Sequence, residues 1–125
     1  MTPGLFLLVV VAGGIGACTR YVVDALVRSR TTSAFPWPTT VINLTGSFVL
    51  GFLTGLVAGD LASTDVSAAV GTGFLGGYTT FSTASYELVQ LVRQKKYGVA
   101  LAYGIGVLVV AVLLALLGYR WGDSL

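Results

Sequence analysis

The stretch Gly71-Thr-Gly-Phe-Leu-Gly-Gly-Tyr-Thr-Thr-Phe-Ser-Thr-Ala-Ser85 lies inside a long apolar segment, yet it is rich in glycines and then in hydroxyls. Backbone within a bilayer must satisfy its own hydrogen bonds, and glycines weaken the helix that would do so. The hydroxyl side chains also need partners that lipid does not supply. The stretch therefore predicts a broken membrane helix whose polar side meets protein or an ion.

The composition is that of a membrane protein. Of the 125 residues, 55% are hydrophobic and only 10% are charged, whereas soluble domains carry about a quarter charged residues. The charges leave four apolar stretches, at about 4–27, 39–59, 66–92 and 98–119, and a bilayer-spanning helix needs roughly 20 residues. We therefore predict an all-α membrane protein, with residues 1–125 forming a single domain of four transmembrane helices, the third of them broken.

Small residues in the first two spans predict close helix packing. They lie in one group early in the chain and then recur at every fourth position of the second span, the small-xxx-small pattern of membrane helix pairs. The two sets are Gly13, Gly14, Gly16 and Ala17, and Gly51, Gly55 and Gly59.

The usual groups of enzyme chemistry are missing. The chain has no histidine and a single cysteine, Cys18, which lies inside the first apolar stretch. Disulfides, metal-ligand clusters and Cys/His or Ser-His-Asp constellations are therefore excluded. The sequence predicts a protein that is not an enzyme.

The positive charges predict the topology. The first and third loops carry five of them, whereas the second loop and the two termini carry only Arg120. Cytoplasmic loops are enriched in Lys and Arg, so we expect these two loops in the cytoplasm and both termini outside. The five residues are Arg28, Arg30, Arg93, Lys95 and Lys96.

Two polar residues within the predicted spans have alternative roles. Asn43, early in the second span, forms an interhelical hydrogen bond or directs an amide N–H at an anion. Arg20 lies four residues before Asp24, which suits an intrahelical ion pair. The alternative for Arg20 is a cation in a vestibule that raises the local concentration of anions.

Two residues of the third stretch also have alternative roles. Phe81 stands among hydroxyls and either packs or presents its partly positive ring edge to a small anion. Glu87 shares a helical face with Thr80 and Thr83, and we expect a solvated carboxylate near the cytoplasmic surface. A cation pore would rather use carboxylates or carbonyl rings, so the balance of donors favours an anion.

Three motifs together resemble the Fluc (CrcB) family of fluoride channels. They are Gly-Gly-Ile-Gly-Ala-Cys-Thr-Arg at 13–20, Asn-Leu-Thr-Gly-Ser-Phe at 43–48 and Gly-Gly-Tyr-Thr-Thr-Phe-Ser-Thr at 76–83. The resemblance covers the whole chain, and the third motif is highly specific. It implies an inverted (antiparallel) dimer in the cell membrane, with two fluoride pores at the interface.

The resemblance also implies roles for particular residues. A structural sodium ion at the dimer interface would be held by the backbone carbonyls of Gly76 and Thr79. Arg20 would lie in the vestibule and Tyr103 in a polar track along the last helix. The residues that would line the pores are Asn43, Phe81, Ser82 and Thr83.

The chain departs from the family pattern at three positions. A second Phe of the family is Ala84 here, and two hydroxyls of the last helix are Val107 and Ala111. The charge bias of the loops is also strong for a protein that must insert both ways. Both a homodimer and a heterodimer with an inverted paralogue therefore stay open.

The predicted function is passive, selective fluoride export, which would lower fluoride toxicity. Two alternatives belong to other classes. A proton-coupled exporter of the small multidrug type would need a membrane-embedded acid in the first helix, where the chain offers only Asp24. A non-conducting structural subunit would complete the pore of another chain.

Overall fold

The computed structural model describes all residues 1–125, and every regular element in it is a helix. Helix α1 spans Pro3–Arg28 and α2 spans Trp37–Ala58. Helix α3 covers residues 64–78 and is π-helical over Ser67–Leu75, α4 spans Ser82–Arg93, and α5 spans Tyr97–Ser124.

Three helices are long and apolar enough to cross a membrane, namely α1, α2 and α5, with mean hydropathies of 1.9, 1.8 and 2.8. This confirms the prediction of an all-α membrane protein. Residues 66–92 do not form one continuous helix, because α3 ends at Tyr78 and α4 begins at Ser82.

The last helix is longer than the sequence predicts. Residues 120–124 continue α5, whereas the apolar pattern places its end near 119. The reason is packing, since the ring of Trp121 lies 4.7 Å from that of Phe52 and 6.1 Å from that of Phe48. The charged residues of this last turn therefore lie beyond the apolar span, and the turn stays helical because it packs against α2.

Glycines allow two pairs of helices to approach closely. Where α2 meets α5, a Cβ on Gly51 would overlap the carbonyl of Ala115, and a Cβ on Gly118 would overlap that of Phe48. Where α1 meets α3, a Cβ on Gly16 would overlap the carbonyl of Phe74. The predicted small-residue packing is confirmed in these two seams.

The same pattern overpredicts contact at two glycines. Gly14 faces open space, and a Cβ on Gly59 would meet nothing nearer than 3.5 Å. Gly14 lies on α1 and Gly59 directly follows α2, so the pattern identifies the closely packed helices but does not predict every contact.

The interior consists of two small clusters. Ile42, Leu75 and Tyr78 join α2 to α3, and Leu91, Ala100 and Tyr103 join α4 to α5. Most large apolar side chains of α1 and α5 point outward and are exposed, as expected where lipid is the solvent.

The α2–α5 seam yields a stability prediction. We expect Gly118→Ala to lower the free energy of unfolding by about 1–3 kcal/mol, because the methyl group must displace α2 backbone. Gly106→Ala is the matched control on the same helix, since a Cβ there meets nothing within 4 Å. Denaturation of the purified protein in detergent measures both, and equal stability of the two variants would contradict the packing account.

Candidate functional site

The junction between α3 and α4, residues 79–81, is where the polar side chains converge. Helical backbone stops at Tyr78, and Thr79 is extended, with φ −79° and ψ 159°. The N–H of Thr79 still donates to the carbonyl of Leu75, at 2.9 Å, but the following residues leave the helical pattern. The backbone groups of the junction must therefore find other partners.

Asn43 supplies those partners for Thr80. Its Nδ2 donates to the Thr80 carbonyl at 2.8 Å, and the Thr80 N–H donates to its Oδ1 at 2.9 Å. The side chain of α2 thus binds both backbone groups of one junction residue. The interhelical role of Asn43 is present in the structure, and one N–H of Nδ2 remains for a further acceptor.

The side chain of Thr80 caps α4. Its hydroxyl accepts a hydrogen bond from the Thr83 N–H at 3.2 Å and lies 3.4 Å from the hydroxyl of Ser82. The expectation that Thr80, Thr83 and Glu87 share one helical face is wrong, because Thr80 precedes α4.

An uncharged cavity of about 350 Å³ opens beside the junction. Asn43 and Ser47 of α2 line it, together with Gly76, Thr79, Phe81 and Ala84, and no charged residue contributes. The Phe81 side chain is 87% exposed, so its ring stands at the surface of the chain instead of packing inside. The structure thus brings Asn43, Phe81, Gly76 and Thr79 together.

The hydroxyls near this cavity differ in whether they already donate a hydrogen bond within the chain. Those of Ser47 and Thr79 donate to carbonyls one turn earlier, at 2.7 and 2.9 Å. Ser82 and Thr83 are exposed, and neither hydroxyl donates to a backbone carbonyl. The donors of the region that have no backbone acceptor are therefore Ser82, Thr83 and the second N–H of Asn43, of which only Asn43 lines this cavity.

A second cavity, of about 330 Å³, lies on the α1 side of the junction. Arg20, half-buried, lines it with Thr39, Thr80 and Thr83. Thr80 borders both cavities, so the junction separates an uncharged cavity from a charged one, which Asp24 and Arg28 line in addition to Arg20.

The predicted Arg20–Asp24 ion pair is wrong. Asp24 pairs with Arg28 instead, at 3.0 Å, and the Arg20 guanidinium makes no ion pair. An i,i+4 pair is more favourable when the acid precedes the base, which explains the choice. Arg20 therefore keeps its charge available to the cavity.

Tyr103 and Glu87 form a separate polar contact. Tyr103 is only 4% exposed, and its hydroxyl donates to Glu87 Oε1 at 3.4 Å. Thr39 donates to the same oxygen at 2.5 Å. The expectation of a solvated Glu87 is wrong, because this half-buried carboxylate is held by two helices, and Tyr103 does not border the cavity beside Asn43.

The contact of Thr39 with Glu87 was not predicted from the sequence, although the spacing of polar residues along α2 indicates a polar face that includes Thr39. Thr39 lies four residues before Asn43, which in turn lies four before Ser47, so all three share one face of α2. That face meets Glu87 at one level and Thr80 at the next.

Two backbone carbonyls at the junction could hold a cation. None of the N–H groups of residues 79–81 donates to the carbonyl of Gly76, and the Thr79 carbonyl accepts no hydrogen bond. Carbonyls of unwound helix ends are the hard oxygen ligands that sodium prefers. No group of three or more acidic, His or Cys side chains offers an alternative metal site.

Comparison with known proteins places these features in one family. The family model described as CrcB-like protein, Camphor Resistance (CrcB), matches residues 7–119. A protein of Leifsonia xyli subsp. xyli named fluoride-specific ion channel FluC 1 is 52% identical, covering 98% of this chain and 89% of its own. A FluC channel of Thermus thermophilus is 39% identical and covers 96% of both chains, and FluC 1 of Bacillus anthracis is 36% identical over 97% and 89%. The match extends over nearly all of α1 to α5, and this chain belongs to the CrcB-like family.

Proposed function

We propose that this chain is a subunit of a fluoride-selective channel that lets fluoride leave the cytoplasm down its gradient. The names of its relatives support an ion channel and no enzyme. The observation that carries the proposal is the uncharged cavity where the Asn43 amide meets the exposed Phe81 ring. Fluoride is small and strongly hydrated, so it crosses only where polar groups replace its water.

The free donors suit an anion. Asn43, Ser82 and Thr83 each offer a proton, and the ring edge of Phe81 carries partial positive charge. The cavity contains no carboxylate to repel fluoride. Tyr103 would act in a second polar layer, through its contact with Glu87.

Helices α3 and α4 would together form the third crossing, interrupted at the junction. Each is shorter than the roughly 20 residues that a span needs. Cysteines introduced by Ser63→Cys and Gln94→Cys would then be labelled from opposite sides of the membrane. Labelling of both from one side would rule out the crossing.

An inverted dimer would close the pores. Phe81 and Gly76 are exposed, so a second chain packed on this face would enclose the cavity between them and Asn43. Two copies related by a two-fold axis would bring four carbonyls, from Gly76 and Thr79 of each, to one point. A sodium ion there would neutralise the facing carbonyl dipoles and hold the interface together.

The sodium proposal predicts a cation dependence. Replacing sodium with a large organic cation on both sides of the membrane should lower fluoride flux severalfold and weaken the dimer, because the carbonyls would then repel each other. Flux and cross-linked dimer are measured together in the same vesicles. If neither the fluoride flux nor the amount of cross-linked dimer changed on this cation exchange, the sodium site would be refuted.

The loop charges support cytoplasmic loops and external termini in the cell membrane. With five positive residues against one, a single orientation is favoured, so we propose a heterodimer with an inverted paralogue beside the homodimer. Accessibility mapping of the two termini separates them. Insertion of this chain alone in both orientations would remove the need for a paralogue.

Arg20 should act by steering anions to the pore. We expect Arg20→Gln to reduce fluoride flux a few-fold at low ionic strength and less at high ionic strength, because salt screens the cation. Arg120→Gln, on an exposed cation at the far end of α5, is the matched control. A loss of flux that does not change with salt would assign Arg20 a structural role instead.

The two alternatives are less well supported. A proton-coupled exporter would need a free acid, but Asp24 is paired with Arg28 at the end of α1. A non-conducting subunit is favoured by the two hydroxyls that the last helix lacks, at Val107 and Ala111, of which Val107 packs against the cluster that holds Tyr103. Fluoride flux that follows the fluoride gradient and ignores a pH gradient identifies the channel.

A further inference from the structure

An apolar groove runs between α4 and α5 on the outside of the bundle. Its volume is about 450 Å³, and six of its seven lining residues are hydrophobic. Leu88 and Val92 form the α4 wall, Tyr97, Leu101 and Ile105 form the α5 wall, and Gly104 contributes no side chain. A groove of this shape and composition suits a hydrocarbon chain.

Three cations stand at one end of this groove. Arg93 directly follows Val92, and Lys95 and Lys96 directly precede Tyr97. All three are exposed, and none takes part in an ion pair or a side-chain hydrogen bond. The nearest acid of α4, Glu87, is already engaged by Thr39 and Tyr103.

A second groove shows that this combination is specific. The outer face of α1 carries one of about 490 Å³, lined by Val11, Ile15 and Val22 among others. Near the end of α1, Asp24 and Arg28 neutralise each other, and the remaining cations, Arg20 and Arg30, are single residues ten positions apart. The α1 groove is therefore similar in size but lacks a cluster of free cations.

We propose that the α4–α5 groove binds one anionic phospholipid, with an acyl chain between the helices and the phosphate against Arg93, Lys95 and Lys96. Basic residues beside a membrane helix attract anionic headgroups, and burial of the chain adds apolar contact. Tyr97 lies where the groove adjoins the three cations, at the level where aromatic side chains meet lipid headgroups. A zwitterionic lipid fills the groove equally well but leaves the cations without a net counter-charge.

Site-directed quenching of tryptophan fluorescence tests the proposal. Ile105→Trp places a reporter in the α4–α5 groove, and Ile15→Trp places a matched one in the α1 groove. Each full-length variant is reconstituted in vesicles with brominated phosphatidylglycerol or brominated phosphatidylcholine, and the signal of native Trp37 and Trp121 is subtracted. At each position, the ratio of quenching by phosphatidylglycerol to quenching by phosphatidylcholine corrects for the depth of the reporter in the membrane.

We expect phosphatidylglycerol to be enriched about threefold or more at position 105 and to stay near the bulk composition at position 15, because only the first groove adjoins a cluster of three free cations. The triple variant Arg93→Gln, Lys95→Gln, Lys96→Gln should abolish the enrichment, whereas Arg30→Gln with Arg120→Gln should preserve it. If the triple variant does not fold, high ionic strength applied to the otherwise unchanged reporter protein should reduce the enrichment. Equal quenching at both positions, or enrichment that survives both the triple variant and salt, would overturn the proposal.

Discussion

Asn43→Leu is expected to lower fluoride flux strongly and to destabilise the protein. The substitution leaves the N–H and carbonyl of Thr80 without partners at a residue that is 9% exposed. Each unsatisfied buried group costs about 1–3 kcal/mol. Loss of the free amide donor adds to the barrier for a desolvated anion, and each 1.4 kcal/mol or so is a tenfold change in rate. We expect flux to fall on the order of 100-fold in liposomes.

Two further variants separate the structural role of Asn43 from its contact with the ion. Ser47→Ala, one turn along the same face of α2, removes only a bond to its own helix, so fold and most of the flux should survive. Asn43→Asp keeps the acceptor for the Thr80 N–H but replaces the donor with negative charge. A folded Asn43→Asp protein that conducts fluoride like the wild type would remove Asn43 from the permeation path.

Phe81→Ala is expected to lower fluoride flux at least tenfold without loss of stability. The ring is 87% exposed within the chain, so its removal should change the free energy of unfolding of the single chain by less than about 0.5 kcal/mol. Flux should fall because the ring edge and the narrowing of the cavity are both lost. Liposome flux and denaturation in detergent measure the two effects separately.

Phe6→Ala is the matched control for Phe81. Phe6 lies on the outer face of α1, is 58% exposed, and lines neither cavity of the site. It should change neither flux nor stability appreciably. If the Phe6 and Phe81 variants conducted equally well, Phe81 would be an ordinary lipid-facing aromatic.

Local patterns in the sequence predicted most of the fold. Glycines spaced by four along α2 are a property of one helix and predicted close packing without naming the partner, which the structure shows to be α5. The cluster of glycines and hydroxyls around residues 71–85 predicted a broken third span, and α3 ends within this stretch, at Tyr78. The family resemblance assigns Asn43 and Phe81 to the pores, and both line one cavity of the structure, although 37 residues separate Asn43 from Thr80, the junction residue that it binds.

The incorrect predictions depend on partners that local patterns do not specify. Asp24 has a base four residues away on each side, and helix geometry decides in favour of Arg28. Glu87 lies near a charged loop in sequence, but Thr39 and Tyr103 approach it from two other helices. The last turn of α5 is held by Trp121 against α2, a contact that hydropathy does not reveal.

Anion efflux from liposomes that contain the purified chain, alone and together with an inverted paralogue, decides whether the protein is a fluoride-selective channel. Fluoride and chloride are followed with ion-selective electrodes at equal gradients. The account predicts rapid release of fluoride without chloride in at least one of the two preparations. Release from the chain alone identifies a self-sufficient homodimer, and release only with the paralogue identifies the heterodimer. Release of both anions, or of neither from folded protein in both preparations, would contradict a fluoride-selective channel.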